Sequence, residues 1–416
     1  MHITEAVYQY ADTLPDIDSI ALQVEENLGG EEYLDKNGPP CRIVTIPIGA
    51  AETDRSIEVG VRSLENNRSR QTVVAFSINH VGEDSNERRL AEVAEIVQSA
   101  TQDMSFASTF YTEKYSREDG TIGNIRARLV GATALAMLRR RYPLSRRTPL
   151  IIGDVDMLRA GSGLLPRLAG ALDTVPFAQA AVTLGCSQDL HAAGLLSPDI
   201  SFPNMDKALY FYNRAILASE YAAHDQWNAM RLGDHLEVNG FDTTVSHWEG
   251  FDLQRRLFSH TNRDLTPKLS PATEAFAVLQ QRRFYARMQS GHSILDSDSL
   301  ATDFSTVDDI CRGNTYENLH DISLEEADII INALWELTGE LGSQRTLGDS
   351  IVWWQFRKTY DTSLGRNPGV REQHLARSSA GDKEFRDAQA YARGLFARVK
   401  HDYEISREIG THLHTP

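Results

Sequence analysis

Cysteine is scarce in this chain, with Cys41, Cys186 and Cys311 the only three in 416 residues. They are widely spaced and form no CxxC pair, which excludes a disulfide framework or a zinc ribbon and fits a reducing compartment. Basic residues are also in short supply, 42 Lys+Arg against 58 Asp+Glu, for a formal charge of −16. Non-specific nucleic-acid binding needs clustered Lys and Arg, so a nucleic-acid partner is not expected. Long apolar runs are missing as well. Stretches such as Ile43 to Ile48 fall far short of the roughly 18 to 20 residues that span a bilayer, so no membrane span is expected. The opening Met1-His2-Ile3-Thr4-Glu5 has neither a basic nor an apolar leader region, and no signal peptide is read from it. A soluble, cytoplasmic protein is the expectation.

What is present is ordinary for a globular chain: 41% hydrophobic and 24% charged residues. At roughly 150 residues per domain, the length predicts two or three domains. Gly38-Pro39-Pro40 is a breaker cluster that sets off residues 1–40 as an N-terminal extension. Beyond it, Ile43 to Ile48 and Thr72 to Ile78 are short, nearly continuous β-branched and aromatic runs, the pattern of buried parallel strands. Ser56 to Asn66 predicts a helix, and so does Asn86 to Ser99, which places Leu90, Val93, Ala94 and Val97 on one stripe. Met104 to Tyr111 reads as a strand, Asn124 to Arg141 as a helix, and Pro149 to Ile152 and Phe177 to Leu184 as further strands. This alternation predicts an α/β fold with a mostly parallel sheet. Helical periodicity returns at Lys207 to Tyr221 and over Thr273 to Met288, Ser323 to Leu341 and Asp382 to Tyr403. Residues 41–265 are therefore expected to form the catalytic domain and 266–416 a helical region on the acceptor side or at a homodimer contact. Arg366 to Asp382, rich in Gly, Ser and charge, reads as a loop.

The most informative feature is Asp154-Val155-Asp156, directly after an apolar strand. Two carboxylates one residue apart at a strand end can converge on one hard divalent cation and leave positions for water and phosphate oxygens. Such pairs also occur in plain solvated turns, so the surrounding residues decide. Upstream stand Ile46-Pro47-Ile48-Gly49-Ala50-Ala51-Glu52 and Gly123-Asn124-Ile125-Arg126-Ala127-Arg128-Leu129-Val130-Gly131. Downstream stand Asn239-Gly240-Phe241-Asp242 and Glu249-Gly250-Phe251-Asp252-Leu253 with Arg256. In this order the chain resembles the GT-A nucleotide-sugar glycosyltransferases of the family 2 type, over about residues 42 to 260. That family opens on a strand ending in Pro and small residues. It continues with a GxxxARNxG helix, a DxD strand end, a GGFD turn and an EDxDLxxR segment.

The departures are specific. Leu129 stands where the family has Asn, Asn239 replaces the first Gly of GGFD, and Gly250 replaces the Asp of the acidic pair, which in inverting members is the usual general base. Glu249 and Asp252 are the carboxylates left to take that role, with Glu249 favoured as the other half of the pair. His247 and Trp248 are expected to line the sugar or acceptor pocket, although Trp248 fits a core position equally well. The resemblance further implies that Pro47, Ile48, Ala50 and Glu52 edge the nucleotide pocket, that Asn79 meets the base, and that Asp154 and Val155 belong to the donor site. Mn2+ or Mg2+ would sit on Asp154 and Asp156, with His292 as a third ligand and His260 as its rival.

Arg126 and Arg128, two residues apart, diverge by about 200° on a helix, so only one can face a diphosphate. Alignment with the family's ARN gives Arg128, leaving Arg126 as a surface or packing charge. Glu83 and Asp84 also end the second strand, where an ordinary polar loop is an equal reading. Trp353, Trp354, Phe356 and Tyr360 fit packing better than acceptor binding. The resemblance thus implies a metal-dependent transfer of sugar from a nucleoside-diphosphate sugar to a small-molecule or protein acceptor.

Three other readings use the same residues. A phosphohydrolase of the haloacid dehalogenase kind also ends a strand in DxD, but Met157 stands where it needs Thr, and the pair follows a later strand than the first. A nucleotidyltransferase would need a Gly-rich GxGxRL-type loop that the first strand lacks. A catalytically silent GT-A binding module is the third, suggested by Gly250.

Overall fold

The computed structural model describes residues 2–28, 41–67, 71–82, 87–218, 226–244, 249–261 and 274–280, with a few positions at 269, 316, 320–324 and 327. These form two units, residues 1–181 with 225–279, and residues 182–224 with 280–416. His247, Trp248, His292, Glu83, Asp84, Trp353, Trp354, Phe356, Tyr360 and the 366–382 loop lie outside the described residues, as does almost all of the expected C-terminal helical region.

In the first unit the order is α1 (Ile3–Ala11), α2 (Ile17–Glu26), β1 (Arg42–Gly49), α3 (Asp54–Arg62), β2 (Thr72–Val81), α4 (Glu87–Thr101), β3 (Ala107–Tyr115) and α5 (Ile122–Arg139). The chain continues with β4 (Pro149–Ile152), β5 (Met157–Ala160), α6 (Leu164–Ala171) and β6 (Phe177–Gln179). After β7 (Ala181–Leu184), α7 (Ser187–Ala193) and α8 (Pro203–Ala218) belong to the second unit; β8 (Asn228–Arg231), α9 (Leu232–Glu237), α10 (Glu249–Thr261) and β9 (Phe276–Leu279) return to the first.

The main sheet runs β3-β2-β1-β4-β8-β6. Strands β1 to β4 are parallel, and β8 is antiparallel to both β4 and β6. The protein is thus α/β, built on a mostly parallel sheet flanked by helices. Side-chain alternation assigns the two faces. Ile43, Val73, Ala75, Ala107, Tyr111, Leu150 and Ile152 share one core with α1, α2 and α5. Their neighbours Val44, Val74 and Phe76 are equally buried, as strands covered on both sides require. Helix α5 is buried along nearly its whole length, from Gly123 to Met137.

Three local readings differ from the sequence expectation. Residues 1–40, read as an extension, contain α1 and α2, whose Val7, Tyr10, Ala21 and Val24 sit in the main core. Phe177 to Leu184 is two strands, because consecutive amides take different partners: Ala180 N–H donates to Trp227 C=O, and Ala181 N–H donates to Ala275 C=O. Within the span read as helical from Thr273, Phe276 to Leu279 is β9, antiparallel to β5 with Met157 opposite Leu279. A four-residue apolar run satisfies helix and strand patterns alike, and edge pairing decides it.

Candidate active site

Strand order gives the location before any side chain is considered. Reading outward from the centre, β1 is followed by β2 and β3 on one side and by β4 on the other, so the order in which strands are added reverses between the parallel strands β1 and β4. In open α/β sheets ligands bind outside the carboxyl ends of the strands at such a switch point. Here β1 and β4 stay paired only as far as Thr45 and Ile152. Gly153 N–H still donates to Thr45 C=O, and then the two chains part. Strand β1 runs on to Gly49 beside Asn79 of β2, which in turn faces Glu113 of β3. Pro47, Ile48, Ala50 and Glu52 therefore lie on one side of the opening, and Asp154, Val155 and Asp156 on the other.

The turn bearing the two aspartates is fixed by close packing. Its Gly153 lies against the indole of the fully buried Trp227. Val155 presents its carbonyl to Gly60 of α3, where an added Cβ would stand 1.8 Å from the oxygen. Only glycine at position 60 admits this approach. Gly60→Ala is expected to push the 153–156 turn outward and cost about 1–3 kcal/mol of stability, as overpacking does. A chemical-denaturation midpoint equal to that of the wild-type protein would show that the turn is not held there.

Charge converges on Asp154 from distant parts of the chain. Arg126 of α5, 3% exposed, donates from Nη2 to Asp154 Oδ1 at 2.6 Å and from Nη1 to the Gly153 carbonyl at 3.2 Å. Its Nε lies 2.8 Å from Glu249 Oε1 at the first residue of α10, and its guanidinium sits 5.9 Å above the Phe241 ring. One buried cation thus serves two carboxylates. Burial pushes the Glu249 carboxyl above its usual range, Arg126 pulls it down and Asp154 pushes it up again.

Arg128 goes elsewhere. It pairs with Glu113 at 2.5 Å and lies 5.6 Å from the Tyr115 ring centre, at the end of β3. The two arginines do diverge: α5 turns Arg126 to the end of β4, where it is a buried ion-pair partner and not a surface charge, and Arg128 to the end of β3. Burial raises the Glu113 carboxyl, with Arg128 and the Tyr115 hydroxyl opposing it.

The remaining candidates are placed as follows. Asp252 is 4% exposed and binds Arg256 Nε at 2.9 Å, while Arg256 also donates to the Val238 carbonyl at 2.6 Å. This tethers α10 to the turn before it. Asn79 is buried, donates to Ser77 C=O at 3.3 Å and accepts the Ala50 N–H through its own carbonyl at 2.7 Å. His260 lies beside Glu237 at 3.1 Å. Cys41 is buried and its thiol is pushed up to about 12, and Cys186 to about 11, so neither is poised as a nucleophile.

A residue with no sequence signal also enters the site. Arg89 of α4 donates to Ala50 C=O at 2.9 Å, to Glu52 C=O at 2.6 Å and to Asp54 at 2.5 Å. It clamps the loop after β1 from 35 to 39 residues away.

Asp154 and Asp156 supply hard oxygen donors at one turn, a set that suits Mg2+ or Mn2+ better than a soft metal. Among the described residues no group of three or more His, Cys, Asp or Glu could hold a metal ion. Two carboxylates by themselves would leave most of a divalent ion's coordination shell to water and to the phosphate oxygens of a bound ligand.

Fold and site together define an α/β protein with a buried charge cluster beside the switch point between β1 and β4. No family model matches the chain, and no curated protein does. Among solved structures it is similar to the mannosyltransferase PcManGT of Pyrobaculum calidifontis, in complex with GDP-Man and Mn2+. That match has 12% identity and a TM-score of 0.34 over 96% of this chain and 99% of that one. It is also similar to S. aureus TarS 1–349, at 13% identity and TM-score 0.31 over 78% and 92% of the two chains. A third is glucosyl-3-phosphoglycerate synthase from Mycobacterium tuberculosis in complex with Mg2+ and UDP, at 13% identity and TM-score 0.30 over 64% and 85%. At these levels of similarity the functional reading has to stand on this chain's own residues.

Proposed function

We propose that this protein is a metal-dependent glycosyltransferase. It moves a sugar from a nucleoside-diphosphate sugar to a hydroxyl of a soluble small-molecule or protein acceptor, in the cytoplasm. The observation that carries the reading is the buried guanidinium of Arg126, held between Asp154 and Glu249 at the switch point. It joins the aspartate turn to the start of α10, the two segments that donor and acceptor chemistry would each need.

In this reading Asp154 and Asp156 would hold Mn2+ or Mg2+, which would supply positive charge to offset that of the leaving diphosphate. The loop of Pro47, Ile48, Ala50 and Glu52, clamped by Arg89, receives the nucleoside, and Asn79 is the polar group next to it. The acceptor hydroxyl attacks the anomeric carbon, the bond from that carbon to the phosphate oxygen breaks, and the nucleoside diphosphate leaves. The acceptor proton passes to a carboxylate. Both carboxylates are paired with an arginine, and Glu249 is favoured over Asp252 because burial raises its affinity for a proton and Arg126 links it to the donor turn. His247, Trp248 and His292 keep the pocket and metal-ligand roles the resemblance implies.

The test is a donor screen. Thermal shift with UDP-, GDP- and dTDP-sugars in the presence of Mn2+ is expected to single out one donor, whose slow hydrolysis follows without acceptor. No shift with any of them, together with unchanged behaviour of Asp156→Ala, would sink the proposal.

A further inference from the structure

We infer that Tyr10, on a helix preceding the sheet, is a positioning residue for Arg126, so that α1 sets the geometry of the site through the 239–241 turn. This rests on the donor-site reading only for what Arg126 is used for; the mechanical claim stands on contacts alone.

Tyr10 is 4% exposed and is wedged between two elements of the site. On one side is α5, the helix that bears Arg126: a Cβ placed on Gly131 would stand 3.6 Å from Tyr10 Cε1. On the other is the turn at Gly240, whose φ of +59° is a left-handed conformation that favours glycine. A Cβ on Gly240 would lie 2.2 Å from the Tyr10 hydroxyl oxygen, so the phenol fills the space that the missing side chain leaves. The turn carries Phe241, whose ring supports the Arg126 guanidinium.

A second path runs through His235. Its ring meets Tyr10 edge to face at 5.7 Å and Phe241 at 5.5 Å. Fully buried, with Arg256 nearby opposing a further positive charge, the His235 imidazole is pushed down to about 3 and stays neutral, a rigid spacer between the two rings. Tyr10, His235 and Phe241 therefore form a packed aromatic column ending on the one cation that joins Asp154 to Glu249. Aromatic pairs at such separations have preferred relative orientations, and a leucine in place of Tyr10 cannot supply them.

The test reads Arg126 directly and needs no substrate. Hydrogen exchange of its Nε–H, whose nitrogen lies 2.8 Å from Glu249 Oε1, is followed by nitrogen-15 NMR and assigned by its loss in Arg126→Lys. In Tyr10→Leu this proton is expected to exchange at least ~tenfold faster, while backbone amides of β1 to β4 keep their protection. Tyr10→Phe, which keeps the ring, should stay within about twofold of the wild-type protein for the same proton. Tyr10→Met is the second variant for use in place of an unfolded Tyr10→Leu. Unchanged Arg126 exchange in the leucine or methionine variant, or equal acceleration across the sheet amides, would overturn the inference by making Tyr10 ordinary core. A protein that binds no nucleotide but shows the Arg126 effect would refute the proposed function and leave this inference standing.

Discussion

Asp156→Ala is expected to lower donor turnover by at least ~10³-fold, equivalent to about 4 kcal/mol of lost stabilisation of the departing diphosphate. The substitution lies in a turn whose backbone is held from outside by Trp227 and Gly60, so the fold should persist. Steady-state hydrolysis of the donor found in the screen measures the loss, and denaturation confirms the fold. Asp154→Asn should behave differently. Asp154 also balances Arg126, so that variant is expected to lose stability as well as turnover. A catalytic loss of less than about tenfold in Asp156→Ala would remove this carboxylate from the reaction.

The second large effect is thermodynamic. Arg126→Met keeps an unbranched aliphatic stem but strips the cation from two carboxylates, one of them 5% exposed. Breaking a buried ion pair by removing one partner costs about 3–5 kcal/mol, because the charge left behind is uncompensated. The pH dependence follows from Glu249. Its folded pKa is raised above the ordinary 4.5, chiefly by burial, so the native state binds its proton more tightly than the unfolded chain does. Such a group contributes fully to stability below its unfolded value, and the contribution is lost as pH rises through the folded value. Removing Arg126 takes away the main influence opposing that rise, so the variant's deficit should be largest near neutrality and shrink as pH falls toward 4.5. Adding Glu249→Gln to Arg126→Met should recover part of the loss at pH 7 and flatten the dependence. Urea denaturation of both variants across this range decides it; a deficit independent of pH would show that Glu249 does not share the Arg126 charge.

The sheet was legible because strands buried on both faces are written as continuous apolar runs: Ile43 to Ile48 and Thr72 to Ile78 lie within β1 and β2. The aspartate turn was legible for a related reason, since polar residues directly after such a run mark a strand's carboxyl end. Helices α1 and α2 lay in a stretch read only as acidic and set off by Gly38-Pro39-Pro40, though their apolar positions pack into the main core. Of the two arginines, spacing alone showed that only one could reach the turn. Which one depended on the rotation of α5 about its axis, a tertiary quantity fixed by packing against α1, α2 and the sheet. Arg89 and Gly60 left no mark in the sequence, because each matters through contacts formed across a long loop of chain.

Calorimetric titration of UDP and GDP, with Mn2+ and with chelator, into the wild-type protein and Asp156→Ala tests the central claim most directly. The account predicts that one nucleoside diphosphate binds the wild-type protein with Mn2+, that chelator abolishes the binding, and that Asp156→Ala loses it. Equal affinity with and without metal, or in Asp156→Ala, would contradict the claim that this strand end receives a metal–diphosphate.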